Sequence, residues 1–305
     1  MPDATRSTET SGAVQTEVGS LSFEFFPAKN EVGDAKLWYA IHRLKNLQPG
    51  FVSLTYGAGG STREHTFENC KRVLAETDLK PAAHLTCVGA SREDINAIAK
   101  DYWQAGIRHI VALRGDLPES MGGVAGHYEP HPEGYAYSPD LVAGLKDIAD
   151  FEISVAAYPE THPQAGSSQA DIDVLKQKFE AGADRALTQF FFDPELFLRF
   201  RDRCAAAGID KPIVPGIMPV INFKSVARFA SACGTTMPAW MKGLYDGLGD
   251  DETTRKMIGA ALVVEMCRRL KEEAVDGFHI YTMNQPEMTI AICRTLGLRH
   301  DAGVA

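Results

Sequence analysis

From residue 21 onward the chain alternates between two hydrophobic patterns. Short runs rich in β-branched and aromatic residues fall at 21–26 (LSFEFF), 51–56 (FVSLTY), 82–87 (AAHLTC), 107–113 (IRHIVAL), 152–157 (EISVAA), 185–191 (RALTQFF), 212–218 (PIVPGIM) and 277–282 (GFHIYT). These runs suit strands. Between them lie longer segments whose apolar positions recur every three or four residues, the period of a helix packed on one face. Helices are predicted near 34–47, 63–76, 91–105, 138–149, 169–181, 194–207, 223–232 and 252–273. Two of the starts are marked: Ser91 stands three residues before Asp94 in capping-box spacing, and Asp193 precedes Pro194 as an N-cap before a first-position proline.

Eight such strand–helix units without a linker predict an α/β fold, a (β/α)8 TIM barrel over 21–299 as a single domain. The segment 235–250 (TTMPAWMKGLYDGLGD) is extra and reads as a short helical insertion before the last helix. Residues 1–20 are polar and rich in Ser, Thr and Gly, which predicts a disordered N-terminal tail, and 300–305 form a C-terminal tail. A doubly wound open sheet is the alternative. It would carry a glycine fingerprint after its first strand, where this chain has FEFFPAKN.

Composition narrows the function. Of 305 residues 45% are hydrophobic and 23% charged, an ordinary balance for a globular chain, and the net charge is −9. No basic run is long enough to follow a phosphate backbone, so nucleic acid and anionic membranes are poor partners. No apolar stretch reaches the ~18 residues of a membrane span. The six cysteines are scattered without a C-x-x-C pair, which points to reduced thiols and a cytoplasmic protein. His84 and Cys87 have the spacing of half a zinc site, but no second half follows, and no metal is expected.

The segment FVSLTYGAGGSTREHT (51–66) fits neither common nucleotide motif. Thr62 replaces the third glycine of G-x-G-x-x-G, and no lysine stands where a P-loop needs one. In a barrel, chemistry collects at the carboxyl ends of the strands. Those positions hold Glu24, Thr55, His84, Arg114-Gly115-Asp116, Tyr158, Gln189 and Tyr281. Glu24 is flanked by Phe23, Phe25 and Phe26, and desolvation among aromatics would raise its pKa and suit it to general-acid work. The amide of Gln189 offers a paired donor and acceptor to a heterocycle. Each has a plain alternative: an ion-paired glutamate, a turn aspartate at 116, a satisfied core glutamine.

The blocks SFEFFPAK, FVSLTYGAGGSTREHT, HLTCVG, HIVALRGDLP, ISVAAYPETHP, KFEAGADRALTQFFFD, VPGIMPV and DGFHIYTMN occur in this order. In this the chain resembles the methylenetetrahydrofolate reductase family over residues 21–299, as its catalytic barrel without the regulatory domain of longer relatives. The resemblance implies FAD-dependent reduction of methylenetetrahydrofolate by NADH or NADPH, by ping-pong hydride transfer, in a homodimer or homotetramer. It implies Glu24 as general acid and Asp116 as a carboxylate between flavin and folate. It implies FAD contacts from Thr55, Tyr56, Ala58, His84, Arg114, Gly115, Asp116, Tyr137, Ser138, Tyr158, His162, Ala165, Asp171 and Lys178. Substrate contacts are implied for Glu24, Thr55, Asp116, Gln189, Ser225, Phe229, Tyr281 and Gln285. The glycines of GAGGST then serve close backbone approach at the barrel mouth.

The chain departs from the family pattern at Ala28, at Val174 and Gln177, where Asn and Arg are the family's residues, and at Gln285, in place of an arginine. The departures at 174 and 177 keep open a flavin-independent reductase of the same fold with direct hydride transfer. A folate-binding barrel without turnover is the alternative outside enzymes.

Overall fold

The computed structural model describes residues 21–28, 30–55, 63–117 and 127–298. Both tails, Tyr56, Ala58 and the glycine segment 57–62 lie outside the described residues. The strands are β1 (Leu21–Phe25), β2 (Phe51–Leu54), β3 (Pro81–Thr86), β4 (His109–Leu113), β5 (Glu152–Ala157), β6 (Arg185–Thr188), β7 (Ile213–Val214), β8 (Gly216–Ile217) and β9 (Phe278–Tyr281). All pair in parallel, in the order β7-β6-β5-β4-β3-β2-β1-β9-β8.

The two ends of that order are one stretch of chain. β7 bonds to β6 and β8 to β9, and only Pro215 separates β7 from β8. The predicted seventh strand is therefore present but broken, because proline has no N–H to offer a ladder. Its carbonyl still accepts from the His279 backbone N–H at 3.0 Å, so the ring closes through the break. The result is the (β/α)8 barrel that the alternation predicts.

Helices α1 (Glu31–Leu44), α2 (Arg63–Glu76), α3 (Arg92–Gln104), α4 (Ser138–Ile148), α5 (Ser168–Glu180), α6 (Pro194–Ala206), α7 (Phe223–Cys233), α8 (Ala239–Tyr245) and α9 (Glu252–Glu272) follow the predicted segments closely. Ser91 accepts from the Asp94 N–H and Asp193 from the Glu195 N–H, as their spacing indicates. α8 is the helix of the predicted insertion. Its Tyr245 hydroxyl donates to the Val220 carbonyl at 2.9 Å, fastening it over an apolar cluster that contains Phe190, Met218 and Val226. One element exceeds the sequence reading: α10 (Pro286–Thr295) follows β9 and packs against α1 and α9.

Strand alternation decides what faces where. Phe23 and Phe25, both fully buried, join Val52, Leu54, Leu85, Ile110 and Val155 in the large cluster between ring and helices. Burying each phenylalanine contributes roughly 1.5–3 kcal/mol. The opposite set, Phe51, Ala82, Val111, Leu187 and Val214, fills the barrel interior. Phe51 presents its face to the edge-on ring of His109 (centroids 4.5 Å apart) and stacks with His279 at 5.8 Å. Against this apolar filling, Ser22 and Glu24 of β1 also point inward, and the site is built above it.

Gly216 shows how tightly the ring closes. A Cβ there would overlap the Thr188 carbonyl oxygen and stand 2.8 Å from the Tyr281 ring. Both neighbours are fixed, since the Tyr281 hydroxyl donates to that same carbonyl at 2.9 Å. Gly216→Ala should therefore lower the unfolding free energy by roughly 1–3 kcal/mol, the usual range for overpacking. Denaturant unfolding checks this, and an unchanged midpoint would mean the strand break has slack.

Candidate active site

Glu24 sits near the carboxyl end of β1, paired with Ser53 on one side and Tyr281 on the other. Its Oε2 accepts a hydrogen bond from Ser53 Oγ at 3.2 Å and lies 3.5 Å from Nε2 of His279. Nε2 of His84 is 3.3 Å away, within ion-pair distance though not aligned for a hydrogen bond. His279 is fully buried, with Nδ1 2.8 Å from the Ser22 hydroxyl.

This arrangement corrects the environment expected for Glu24. Phe23 and Phe25 are its neighbours in sequence, but alternation turns both to the outer face of the ring. Burial does push the carboxyl up. Hydrogen bonding from His279 and the proximity of the His84 imidazole outweigh it and hold the pKa at about 2, against an ordinary 4.5. Glu24 is thus a carboxylate held by its neighbours rather than an acid stranded among rings. Ser53 and His279 were not among the sequence candidates. The signal for both was available: each falls on the inward parity of its strand.

The other strand ends supply the rim. Thr55 follows β2, with its N–H on the Phe25 carbonyl. Arg114 follows β4, bonded to the Gly115 carbonyl and the Gln164 side chain, with its guanidinium 4.8 Å from the Tyr128 ring centroid. Gly115 has φ 91°, and a Cβ there would come within 2.7 Å of Thr86 and Val88. A side chain at 115 is excluded on both counts. Asp116 is exposed beside it.

After β5, Tyr158 meets His162 edge-on at 4.6 Å, and burial, reinforced by the Asp116 charge, pushes the Tyr158 phenol up. Burial, with Arg114 nearby, lowers the His162 pKa. The His162 N–H donates to Asp171 on α5, and its carbonyl accepts from Ala165.

Gln189 follows β6 and shares a small cleft with Tyr158, Cys233 and Thr235. Its side-chain oxygen accepts from the Phe190 N–H at 3.1 Å, which leaves the amide NH2 as the outward donor. Phe229 on α7 is 45% exposed and stacks on Phe190 at 5.4 Å, and Phe190 meets Tyr281 edge-on. Ser225 is exposed on the first turn of the same helix. Tyr137 and Ser138 begin α4. Tyr137 is half exposed, and Ser138 is buried on the Ala112 carbonyl.

The loop after β9 is tied back to β1: Thr282 Oγ1 donates to the Glu24 carbonyl, and Asn284 exchanges two hydrogen bonds with the Phe26 backbone. Met283 and Asn284 both have positive φ, which delivers Gln285 to the N-cap of α10, where its side chain forms no cap bond.

Lys178 is the unusual cation of the rim. It lies on α5 and is 9% exposed, and its ammonium donates to the Ala156 carbonyl at 2.7 Å. Among the described residues no carboxylate stands within ion-pair distance of it. Burial pulls its pKa down from 10.5 to about 8, opposed by Asp171 and assisted by Arg114. Val174, one turn earlier on α5, is an exposed apolar side chain, and Gln177 is exposed beside it. Two cations near each other at the mouth of an acidic protein, one of them desolvated and without an ion-pair partner among the described residues, fit a bound anion.

The Methylenetetrahydrofolate reductase family model matches residues 10–297. The 5,10-methylenetetrahydrofolate reductases of Pectobacterium carotovorum and Escherichia coli are each 52% identical to this chain, over 92% of it and 91% of their own lengths. Methylenetetrahydrofolate reductase (NADH) 1 of Arabidopsis thaliana is 35% identical over 95% of this chain and 50% of its own. Among solved structures, a Clostridium thermocellum protein that binds two copies of 5-methyl-5,6,7,8-tetrahydrofolic acid has the same fold. It aligns with a TM-score of 0.65 at 14% identity, over 93% of this chain and 95% of that one.

The depressed Lys178 pKa has a measurable sign. Below pH 8 the lysine is protonated in both folded and unfolded chains, so the folded state bears the full cost of the buried charge. Between about 8 and 10.5 only the unfolded chain keeps the proton, and stability rises with pH. The stability gap between ligand-free Lys178→Met and wild type should therefore shrink across that window. A gap constant from pH 7 to 10.5 would show that the ammonium is not desolvated.

Proposed function

The chain belongs to the methylenetetrahydrofolate reductase family of oxidoreductases, and on that premise we propose that it reduces 5,10-methylenetetrahydrofolate to 5-methyltetrahydrofolate with bound FAD as hydride carrier and NADH or NADPH as donor. The observation that supports it most is Glu24, a proton-transfer group held at the mouth of the barrel by Ser53, His84 and His279.

The residues present fit FAD. Lys178 and Arg114 form the cationic pair a diphosphate needs, and Lys178 makes no ion pair among the described residues. Gly115 turns the chain beside Arg114 at a φ of 91°, with no room for a Cβ against Thr86 and Val88, and the neighbouring Asp116, Tyr137, Ser138, Tyr158, His162, Ala165 and Asp171 complete the wall. Tyr56 and Ala58 are assigned to it by resemblance. Val174 and Gln177 leave Lys178 as the principal cation of α5. FAD, when bound, supplies the hydride that passes from the nicotinamide to the methylene carbon, in two half-reactions that share one mouth.

The protein's own work is positional and protonic. In the product the one-carbon unit stays on N5, so the bond to N10 breaks and N10 must gain a proton. Glu24 is the group assigned to that transfer. Its carboxyl is ionised in the free protein, so it must draw the proton from its surroundings, and the His84 and His279 imidazoles are the donors within reach. Phe229, backed by the buried Phe190, offers a flat apolar surface to a pterin or a nicotinamide, and the Gln189 amide NH2 donates to either ring. Asp116 places negative charge beside them. Tyr281, Ser225 and Gln285 are assigned to the folate side. Excess NADH competing with folate for this surface is the kinetic mark of a shared mouth.

Direct hydride transfer without flavin is the second reading, since the diphosphate of NADH or NADPH suits the same two cations, and a purified protein without bound flavin would favour it. The test separates the half-reactions. Glu24→Gln keeps the shape but cannot carry the proton, and loss of a general acid costs ~10²-fold or more. Anaerobic reduction of bound FAD by the nicotinamide should stay near wild type, while reoxidation by methylenetetrahydrofolate should fall by about that factor. Equal losses in both halves would make Glu24 structural.

A further inference from the structure

The two carboxyl oxygens of Glu24 are not equivalent. Three side chains from three strands converge on Oε2: Ser53 from β2, His84 from β3 and His279 from β9. Among the described residues no hydrogen bond reaches Oε1. Two of the anchors are themselves held. The strand register sets Ser53 directly opposite Glu24, and His279 is fixed on its far side by the Ser22 hydroxyl. His84 is different. Its Nε2 is fully buried and close to Oε2, yet it is not aligned for a hydrogen bond in the free protein.

A carboxylate held by Ser53 and His279 alone can still turn about its terminal torsion, which is broad and roughly two-fold. That rotation would exchange the oxygen facing the mouth. A third group close to Oε2, with a buried nitrogen that has no hydrogen-bond partner among the described residues, resists the exchange. It lies two residues before Thr86, which packs against Gly115 at the rim.

We propose that His84 is a positioning residue for proton transfer: by anchoring Oε2 of Glu24 it leaves Oε1 as the oxygen that exchanges the proton with substrate. This goes beyond a contact between His84 and the cofactor, and it rests on the reading of Glu24 as the proton-transfer group. The proton balance is simple. Oε1–H breaks as the substrate nitrogen gains the proton, and the carboxylate left behind is held at Oε2 by Ser53 and His279, with His84 beside them. His84 serves the transfer twice, by orienting the carboxyl and by setting how readily it holds a proton.

Two variants separate these roles. His84→Gln keeps a donor for Oε2 but cannot carry charge, and His84→Phe keeps neither. The first measurement is the ¹³C titration of the Glu24 carboxyl carbon in the purified holoprotein, assigned as the resonance missing from Glu24→Gln. The second is the pH profile of folate-dependent reoxidation of the reduced protein. The titration midpoint should rise by at least one pH unit in both variants. The limiting rate of the folate step should fall at least tenfold further in His84→Phe than in His84→Gln.

Midpoints equal to wild type in both variants would overturn the proposal, and so would equal rates in the two. If His84→Phe does not fold, the His84→Gln midpoint decides alone. The carbon titration is read without substrate, so it holds whatever the reaction is. A wild-type protein unable to reduce the folate would defeat the functional reading, whereas an unmoved midpoint defeats only the role of His84.

Discussion

The closed parallel ring is the constraint from which the rest follows. Once β1 is flanked by β2 and β9, the two-residue period of each strand fixes which side chains meet inside. Glu24, Ser53, His84 and His279 come from four strands, and no pair of them is closer than 29 residues in sequence. A one-residue slip of β1 would put Phe23 or Phe25 in the place of the carboxylate and turn Glu24 towards the helices. The chemistry of the mouth therefore depends on register, and register depends on the large buried side chains that lock the outer face of the ring.

Closure has a local weak point that the chain turns to use. Pro215 cannot join a ladder, so the seventh strand splits, yet its carbonyl keeps its partner in the His279 N–H. The break leaves Gly216 against Thr188 and Tyr281, in a space that holds no side chain. That packing fixes Tyr281 and the backbone of His279 together. The same segment of β9 then carries one anchor of Glu24 and one wall of the proposed substrate surface. Stability of the ring and precision of the site are here a single property.

Much of this was legible in the sequence. The alternation of short and long apolar patterns predicts the barrel and nearly all of its elements, and the strand ends point to Glu24, His84, Asp116, Gln189 and Tyr281. What escaped was three-dimensional. The sequence surrounds Glu24 with phenylalanines and so implies a raised pKa, while the fold surrounds it with imidazoles and a hydroxyl and lowers it. Knowing that needs the register of β2, β3 and β9, which no local pattern encodes. α10 lies beyond the last strand–helix alternation, and its signal is short, with Met288 and Ile292 at helical spacing. The proline in PIVPGIM was visible, but its effect on pairing depends on which neighbours the two halves find.

The proposed reaction passes hydride through a bound flavin to a folate whose protonation Glu24 controls. The most direct measurement is anaerobic and spectroscopic. The purified protein is mixed with NADH or NADPH, flavin absorbance is followed to bleaching, and methylenetetrahydrofolate is then added. In that reaction the flavin bleaches with at least one nicotinamide and recovers its colour as 5-methyltetrahydrofolate forms in equal amount. A flavin-free protein that still oxidises the nicotinamide on folate addition, or a flavin that the folate cannot reoxidise, would contradict it.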